Sequence, residues 1–146
     1  MATHLTRVQP AEAYALLEQG YVYIDVRSEG EFLEGHPPGA CNVPILHTDE
    51  SGTRVPNPDF LSVMEANFPK DAKLLLGCRS GQRSTRAAEI LRSAGYTHLA
   101  ELRTGFDGVR DPFGAVVEKG WKASGLPVAY EPAPGCSYDD LRRKVG

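Results

Sequence analysis

Leu74-Leu75-Leu76-Gly77-Cys78-Arg79-Ser80-Gly81-Gln82-Arg83-Ser84 is the stretch whose reading decides the fold. A run of three leucines stops at Gly77 and reads as a buried strand. Ser84-Thr85-Arg86-Ala87-Ala88-Glu89-Ile90-Leu91-Arg92 reads as helix, with Gly95 as its stop. Cys78 therefore falls in a tight loop between a strand end and a helix start. Amides at a helix start lack intrahelical partners and carry partial positive charge, so they favour an anion in front of them. A sulfur held there is stabilised as the thiolate, the nucleophilic form. Arg79 and Arg83 add positive charge, and either can hold an anionic substrate. A cysteine alone at this place would read as an inert core thiol. Two arginines beside a core thiol would be buried without partners, which is costly. The pattern therefore points to a reactive site.

Working outward, Lys73 to Gly77 is the strand that feeds the loop. Before it, residues 57–68 read as a helix, with Asn57 as cap, Pro58 in the first position and Pro69 ending it. Residues 47–58 are polar and rich in breakers, and read as a loop. Further upstream, Pro10 to Gln19 reads as a helix stopped by Gly20, with Val8, Tyr14 and Leu17 facing the core. Tyr21 to Val26 is β-branched and aromatic, hence a strand. Ser28 and Glu31 have capping-box spacing for a short helical turn, and Ala40 to Pro44 reads as a brief strand. Downstream, Thr97 to Leu102 reads as a last strand. Phe113 to Ser124 reads as an amphipathic helix carrying Val116, Val117 and Trp121. Residues 131–146 form a tail, in which Tyr138 to Val145 is a short helix docking Leu141. Strands and helices alternate. This predicts an α/β, doubly wound fold: a central, mainly parallel sheet of about five strands with helices on both faces. Ligands in such sheets bind at the carboxyl ends of strands, where Cys78 sits.

The composition is that of an ordinary globular domain, 41% apolar and 24% charged over 146 residues. This length suits one domain, residues 1–130, followed by the tail. A net charge of −3 with dispersed arginines offers no basic face for nucleic acid. No run is long enough for a membrane span, and the first residues lack the apolar stretch of a signal peptide. His4, His36, His47 and His98 are scattered, which gives a metal site little support. Three widely spaced cysteines predict no disulfide framework and a reducing, cytoplasmic setting. Cys136 reads as an inert thiol, or else as a second redox thiol.

The loop Cys78 to Ser84 resembles the active-site loop of the single-domain rhodanese family of sulfurtransferases. A second region is similar to that family in order: Asp25-Val26-Arg27, Glu31-Phe32, Gly35-His36, Gly39-Ala40 and Asn42-Val43-Pro44. Pro37 stands where the family usually has isoleucine. A third region departs further. Leu102-Arg103-Thr104-Gly105 has Thr104 in place of the first glycine of a Gly-Gly pair. The tryptophan of Trp121 to Pro127 arrives late, so extra residues lie within 106–120. The resemblance places this insertion near the mouth of the site. There it would narrow access or dock a partner, or else be a solvent-exposed elaboration.

The resemblance implies a rhodanese-like fold and a sulfurtransferase with Cys78 as nucleophile. Arg79, Ser80, Gly81, Gln82, Arg83 and Ser84 would form the substrate-binding loop, with Arg79 recognising the donor and Arg83 bracing the loop through a carboxylate. Asp25, Arg27 and Glu31 read as structural charges that pair with each other or with Arg83. His36 reads as a hydrogen-bonded turn residue, not a base. The implied partners are a small sulfur donor such as thiosulfate and a thiol acceptor, small molecule or protein. No metal or organic cofactor is implied. Alternatives are a non-catalytic or sulfur-delivering partner-binding module, a cysteine-dependent phosphatase of related fold, and an arsenate reductase. The phosphatases place an arginine where this chain has Ser84. Arg83 stands one residue too early, which leaves a loop small for phosphate.

Overall fold

The computed structural model describes residues 6–145; His4 and the start of the chain lie outside them. Its frame is a five-stranded, all-parallel sheet in the order β1-β7-β6-β2-β3. These strands are β1 (Thr6–Val8), β2 (Val22–Asp25), β3 (Cys41–Asn42), β6 (Lys73–Gly77) and β7 (His98–Leu102). The leucine run is β6, at the middle of the sheet. Successive side chains of a strand face opposite ways. Leu74 and Leu76 accordingly enter one core and Leu75 the other. The first core lies under α3 (Phe60–Asn67), α4 (Gln82–Ser93) and α5 (Tyr138–Arg142). The second lies under α1 (Pro10–Glu18), with Phe32 of α2 (Glu29–Leu33) and Trp121. Three leucines at a strand buried on both faces thus account for the two-layered covering.

Several expectations need correction. Thr6–Val8 is an edge strand too short to show a period, and it pairs with β7, which is therefore internal. The segment 47–58 is not a plain loop. β4 (Leu46–Thr48) and β5 (Arg54–Pro56) form an antiparallel hairpin. Its turn is closed by Asp49 Oδ1, which accepts from the amides of Ser51 and Thr53 at 2.9 and 3.0 Å. The helix at 113–124 is absent. β8 (Val109–Arg110) and β9 (Val116–Glu118) make a second hairpin, followed by a short 3-10 turn at Lys122–Ser124. Asp111 Oδ1 accepts from the amides of Phe113 and Ala115, and Gly114 turns with φ +86°. The Asp-Pro-Phe-Gly turn chemistry overrides the helical spacing of Val116, Val117 and Trp121. Phe113, at the tip, is 94% exposed, whereas Trp121 is wholly buried. In α1 the buried residues are Pro10 and Ala13, while Tyr14 is 40% exposed.

The inserted hairpin is a closed excursion. The chain leaves at Phe106 and comes back where the amides of Trp121 and Lys122 donate to the carbonyls of Gly105 and Phe106, at 3.1 and 3.3 Å. Trp121 then fills the second core and donates its indole N–H to Pro127 O at 2.7 Å. Because its ends meet, the extra length adds only a modest loop-closure cost and leaves the frame intact.

The cysteine reading also changes. Cys41 and Cys136 form a disulfide that ties the tail to the sheet edge across a sequence separation of 95. Neither is then a free thiol, and the argument for a reducing compartment from unpaired cysteines loses its premise. Cys78 is free and buried. The tail docks as expected at Leu141, with Ser137 capping α5.

Asn57 does not cap α3 as expected. Asp59 holds the N-cap position with no side-chain cap bond. Buried Asn57 instead donates to Pro44 O at 2.8 Å and Tyr138 Oη at 3.0 Å, and accepts from the Asp59 amide at 3.0 Å. One side chain thereby links the β3–β4 connection, α3 and the tail. Asn57→Ala strands three polar groups and is expected to cost about 1–3 kcal/mol, measured as a fall in the urea midpoint at unchanged slope. A change within error would show that this node is not structural.

Candidate active site

Cys78 follows β6 directly and precedes Gly81, the N-cap of α4. It is 1% exposed. Its Sγ accepts a hydrogen bond from the Gly81 amide at 3.1 Å, and the Ser84 hydroxyl lies 3.6 Å away. The turn works only with glycine at 81. Its φ is +100°, and a Cβ there would collide with the Arg103 carbonyl oxygen. A second backbone run closes on the loop from behind. The amides of Phe106 and Asp107 donate to the carbonyls of Cys78 and Arg79 at 2.7 and 2.9 Å. Gly105, at φ +69°, allows this approach, since a Cβ would strike the carbonyls of both loop residues. Thr104 replaces the first glycine of the pair without a positive φ, so the departure costs no backbone strain.

The charges flanking the loop sort into braces and one exposed pair. Asp25 and Arg27 are buried and paired, with Arg27 Nη2 2.7 Å from Asp25 Oδ2. Arg27 also donates to Gly35 O at 2.6 Å and lies over the Phe106 ring. Burial disfavours its charge, but the Asp25 carboxylate outweighs this and raises its pKa. Arg83 grips Glu31 in a two-pronged bond, Nη1 to Oε1 at 2.7 Å and Nη2 to Oε2 at 2.9 Å. Glu31 completes the capping box with Ser28. Burial would raise its pKa, but Arg83 and Ser28 together hold it at about 2. Arg79 is different. Its Nε meets Asp107 at 3.0 Å, with side chains 59% and 38% exposed. Such a pair is worth little and exchanges readily.

Two clefts adjoin Arg79. One of about 250 Å³ is lined by Arg27, Glu31, Arg79, Phe106 and Lys122 among others. The other, about 300 Å³, lies between Ser80 and Gln82 of the loop and Val109 and Arg110 of the inserted hairpin. The insertion therefore does border the site. His36 is a buried turn residue, its ring nitrogens 2.7 Å from Phe32 O and 3.0 Å from Glu131 O.

Two residues at the site were not singled out from the sequence. Glu101 of β7 is wholly buried, and its Oε1 accepts from Thr85 Oγ1 at 2.6 Å, Arg7 Nη2 at 3.1 Å and Ser84 Oγ at 3.2 Å. A glutamate flanked by Ala100 and Leu102 in a sheet interior was the available signal, because buried carboxylates need partners. Arg7 became visible only with the β1–β7 register, which sets it opposite Glu101.

A parallel α/β sheet that presents one buried cysteine to the amide of a helix N-cap defines a class of cysteine-centred sites. Comparison with known proteins specifies it. The rhodanese-like domain family matches residues 9–111, most of the chain. Thiosulfate sulfurtransferase 16, chloroplastic, of Arabidopsis thaliana is 38% identical over 115 residues, covering 79% of this chain and 85% of that protein. Rhodanese-like domain-containing protein 15, chloroplastic, of the same plant is 40% identical over 101 residues. That match covers 69% of this chain, which spans only 55% of the relative's length. The crystal structure of Rv0390 from M. tuberculosis superposes with a TM-score of 0.71 at 30% identity, over 88% of this chain and 99% of that one. The chain belongs to the rhodanese-like family.

The Arg83–Glu31 brace carries a pH signature. A carboxylate held at about 2, below its ordinary 4.5, contributes stability that is complete above 4.5 and lost as pH falls toward 2. Arg83→Ala is expected to cost about 1.5–3 kcal/mol near neutrality. It should also flatten the loss of stability between pH 4.5 and 2. Acid unfolding curves of the two proteins check this; parallel curves would show that the pair is not coupled to folding.

Proposed function

We propose that the chain is a sulfurtransferase that moves a sulfane sulfur from thiosulfate or a related donor to a thiophilic acceptor through a Cys78 persulfide. The observation that carries this reading is the Gly81 amide donating to Cys78 Sγ at the start of α4. The thiolate attacks the outer sulfur of the donor. The donor's S–S bond breaks, and its electron pair leaves with sulfite. The acceptor then attacks the outer sulfur of the persulfide, and Cys78 departs as the thiolate. The amides of residues 79–84 stabilise negative charge on either sulfur form. Cyanide is a convenient acceptor in an assay; a cellular thiol, free or on a protein, suits the reaction in vivo.

Arg79 is assigned to donor recognition. Its guanidinium can leave Asp107 for an anionic donor at little cost, in a cleft lined by Arg27 and Lys122 and also by Glu31, Glu34 and Asp107. Arg83 is committed to Glu31 and is read as a brace. The phosphatase alternative gains nothing from this geometry, because Ser84 is buried where such an enzyme would need its arginine.

Thiosulfate is expected to add one sulfur mass to the Cys78 peptide, and Cys78→Ser to abolish thiocyanate formation from cyanide. Arg79→Ala should raise the half-saturating thiosulfate concentration by about tenfold, the value of one charged hydrogen bond. Wild-type turnover by the serine variant, or hydrolysis of an aryl phosphate without any sulfur transfer, would overturn the reading.

A further inference from the structure

Glu101 is a buried carboxylate that the transfer steps above leave unused. It lies one hydroxyl away from the reacting sulfur: Cys78 Sγ to Ser84 Oγ is 3.6 Å, and Ser84 Oγ to Glu101 Oε1 is 3.2 Å. Both Ser84 and Glu101 are wholly buried. Glu101 Oε2 has no hydrogen-bond partner among the described residues. Its Oε1 carries the pairing with Arg7 at 3.1 Å, which leaves Oε2 as a buried oxygen that the ion pair does not reach. The thiol, the hydroxyl and the carboxylate thus form one chain of contacts closed off from solvent.

We propose that Glu101 takes the Cys78 proton through Ser84, deepening the sulfurtransferase reading on which the proposal rests. The Sγ–H bond breaks as its proton bonds to Ser84 Oγ. Ser84's own hydroxyl proton passes to the Glu101 carboxylate. Two bonds to hydrogen break and two form, so no co-reactant is needed. When the persulfide later gives up its sulfur and Cys78 departs as an anion, the same path returns the proton. Glu101 touches no substrate; it is a positioning residue that acts by holding a proton. The groups that face it are Arg7 from β1, the hydroxyls of Ser84 and Thr85 from α4, and Leu76 across the β6 register. Around the sulfur itself, Arg83 of α4 and Tyr23 of β2 are the further ionisable groups whose fields reach it.

The test is Glu101→Gln, which keeps the shape and an acceptor oxygen but cannot take the proton. The primary readout is the rate at which iodoacetamide alkylates Cys78, followed against pH in the full chain. It does not depend on sulfur transfer. With the relay, one proton is shared and wild-type reactivity levels off on the acid side. In the glutamine variant it should instead fall about tenfold for each pH unit below neutrality, while alkaline reactivity is kept. Persulfide formation from thiosulfate should follow the same two profiles, with the half-saturating thiosulfate concentration unchanged. Identical alkylation profiles, or an equal loss at every pH, would overturn the proposal. Should Glu101→Gln fail to fold, Ser84→Ala must produce the same acid-side loss; unaltered acid-side reactivity in it would overturn the relay. If wild type alkylates as expected yet forms no persulfide, the sulfurtransferase reading fails while the relay stands.

Discussion

The Gly81 amide, aimed at Cys78 Sγ, is the constraint on which the rest of the structure depends. An N–H can point there only if the chain turns back within three residues of a strand end, and only a left-handed glycine makes that turn against the Arg103 carbonyl. The strand must be central, so that neighbours on both sides hold its end still. β6 has β2 on one side and β7 on the other. The loop from 103 to 107 then locks the cysteine from behind through main-chain bonds. Side chains add braces at the periphery: Arg27 on Asp25, and Arg83 on Glu31.

This division explains which charges are fixed and which can act. These bidentate pairs, one buried and one half-buried, are expensive to break because each member would be left uncompensated. They hold the loop's shape. Arg79 is exposed and weakly paired, so it can respond to a ligand without disturbing that shape. The buried carboxylate of Glu101 lies on the opposite flank of the loop from Glu31, tied to β1 through Arg7 and to α4 through two hydroxyls. The cysteine is thus set between a solvent-facing side that carries Arg79 and a polar, buried one.

The central leucines, the break at Gly77 and the helix start were legible because each is a local signal: a solid apolar run, a glycine, a turn of α-helical spacing. That Asp25, Arg27 and Glu31 would pair with each other or with Arg83 was legible for a different reason, since charges at a strand end need partners; that Arg83 takes Glu31 was not. What escaped was set by tertiary contacts. Thr6–Val8 is a strand only because β7 offers it an edge. Cys41 and Cys136 meet only because Tyr138 and Leu141 carry the tail into the core. Glu101 gains its meaning from a register with Arg7 that no local pattern shows. The hairpin at 109–118 runs against the helical spacing of Val116 and Val117: Asp111 to Gly114 carries turn chemistry, and both valines are exposed.

The most direct measurement is a crystal structure of the protein after treatment with thiosulfate. One extra sulfur is expected on Cys78 Sγ, on the side of the sulfur that the Gly81 amide faces, with Arg83 still on Glu31. An unmodified Cys78 whose neighbouring amides point away from the sulfur would contradict it.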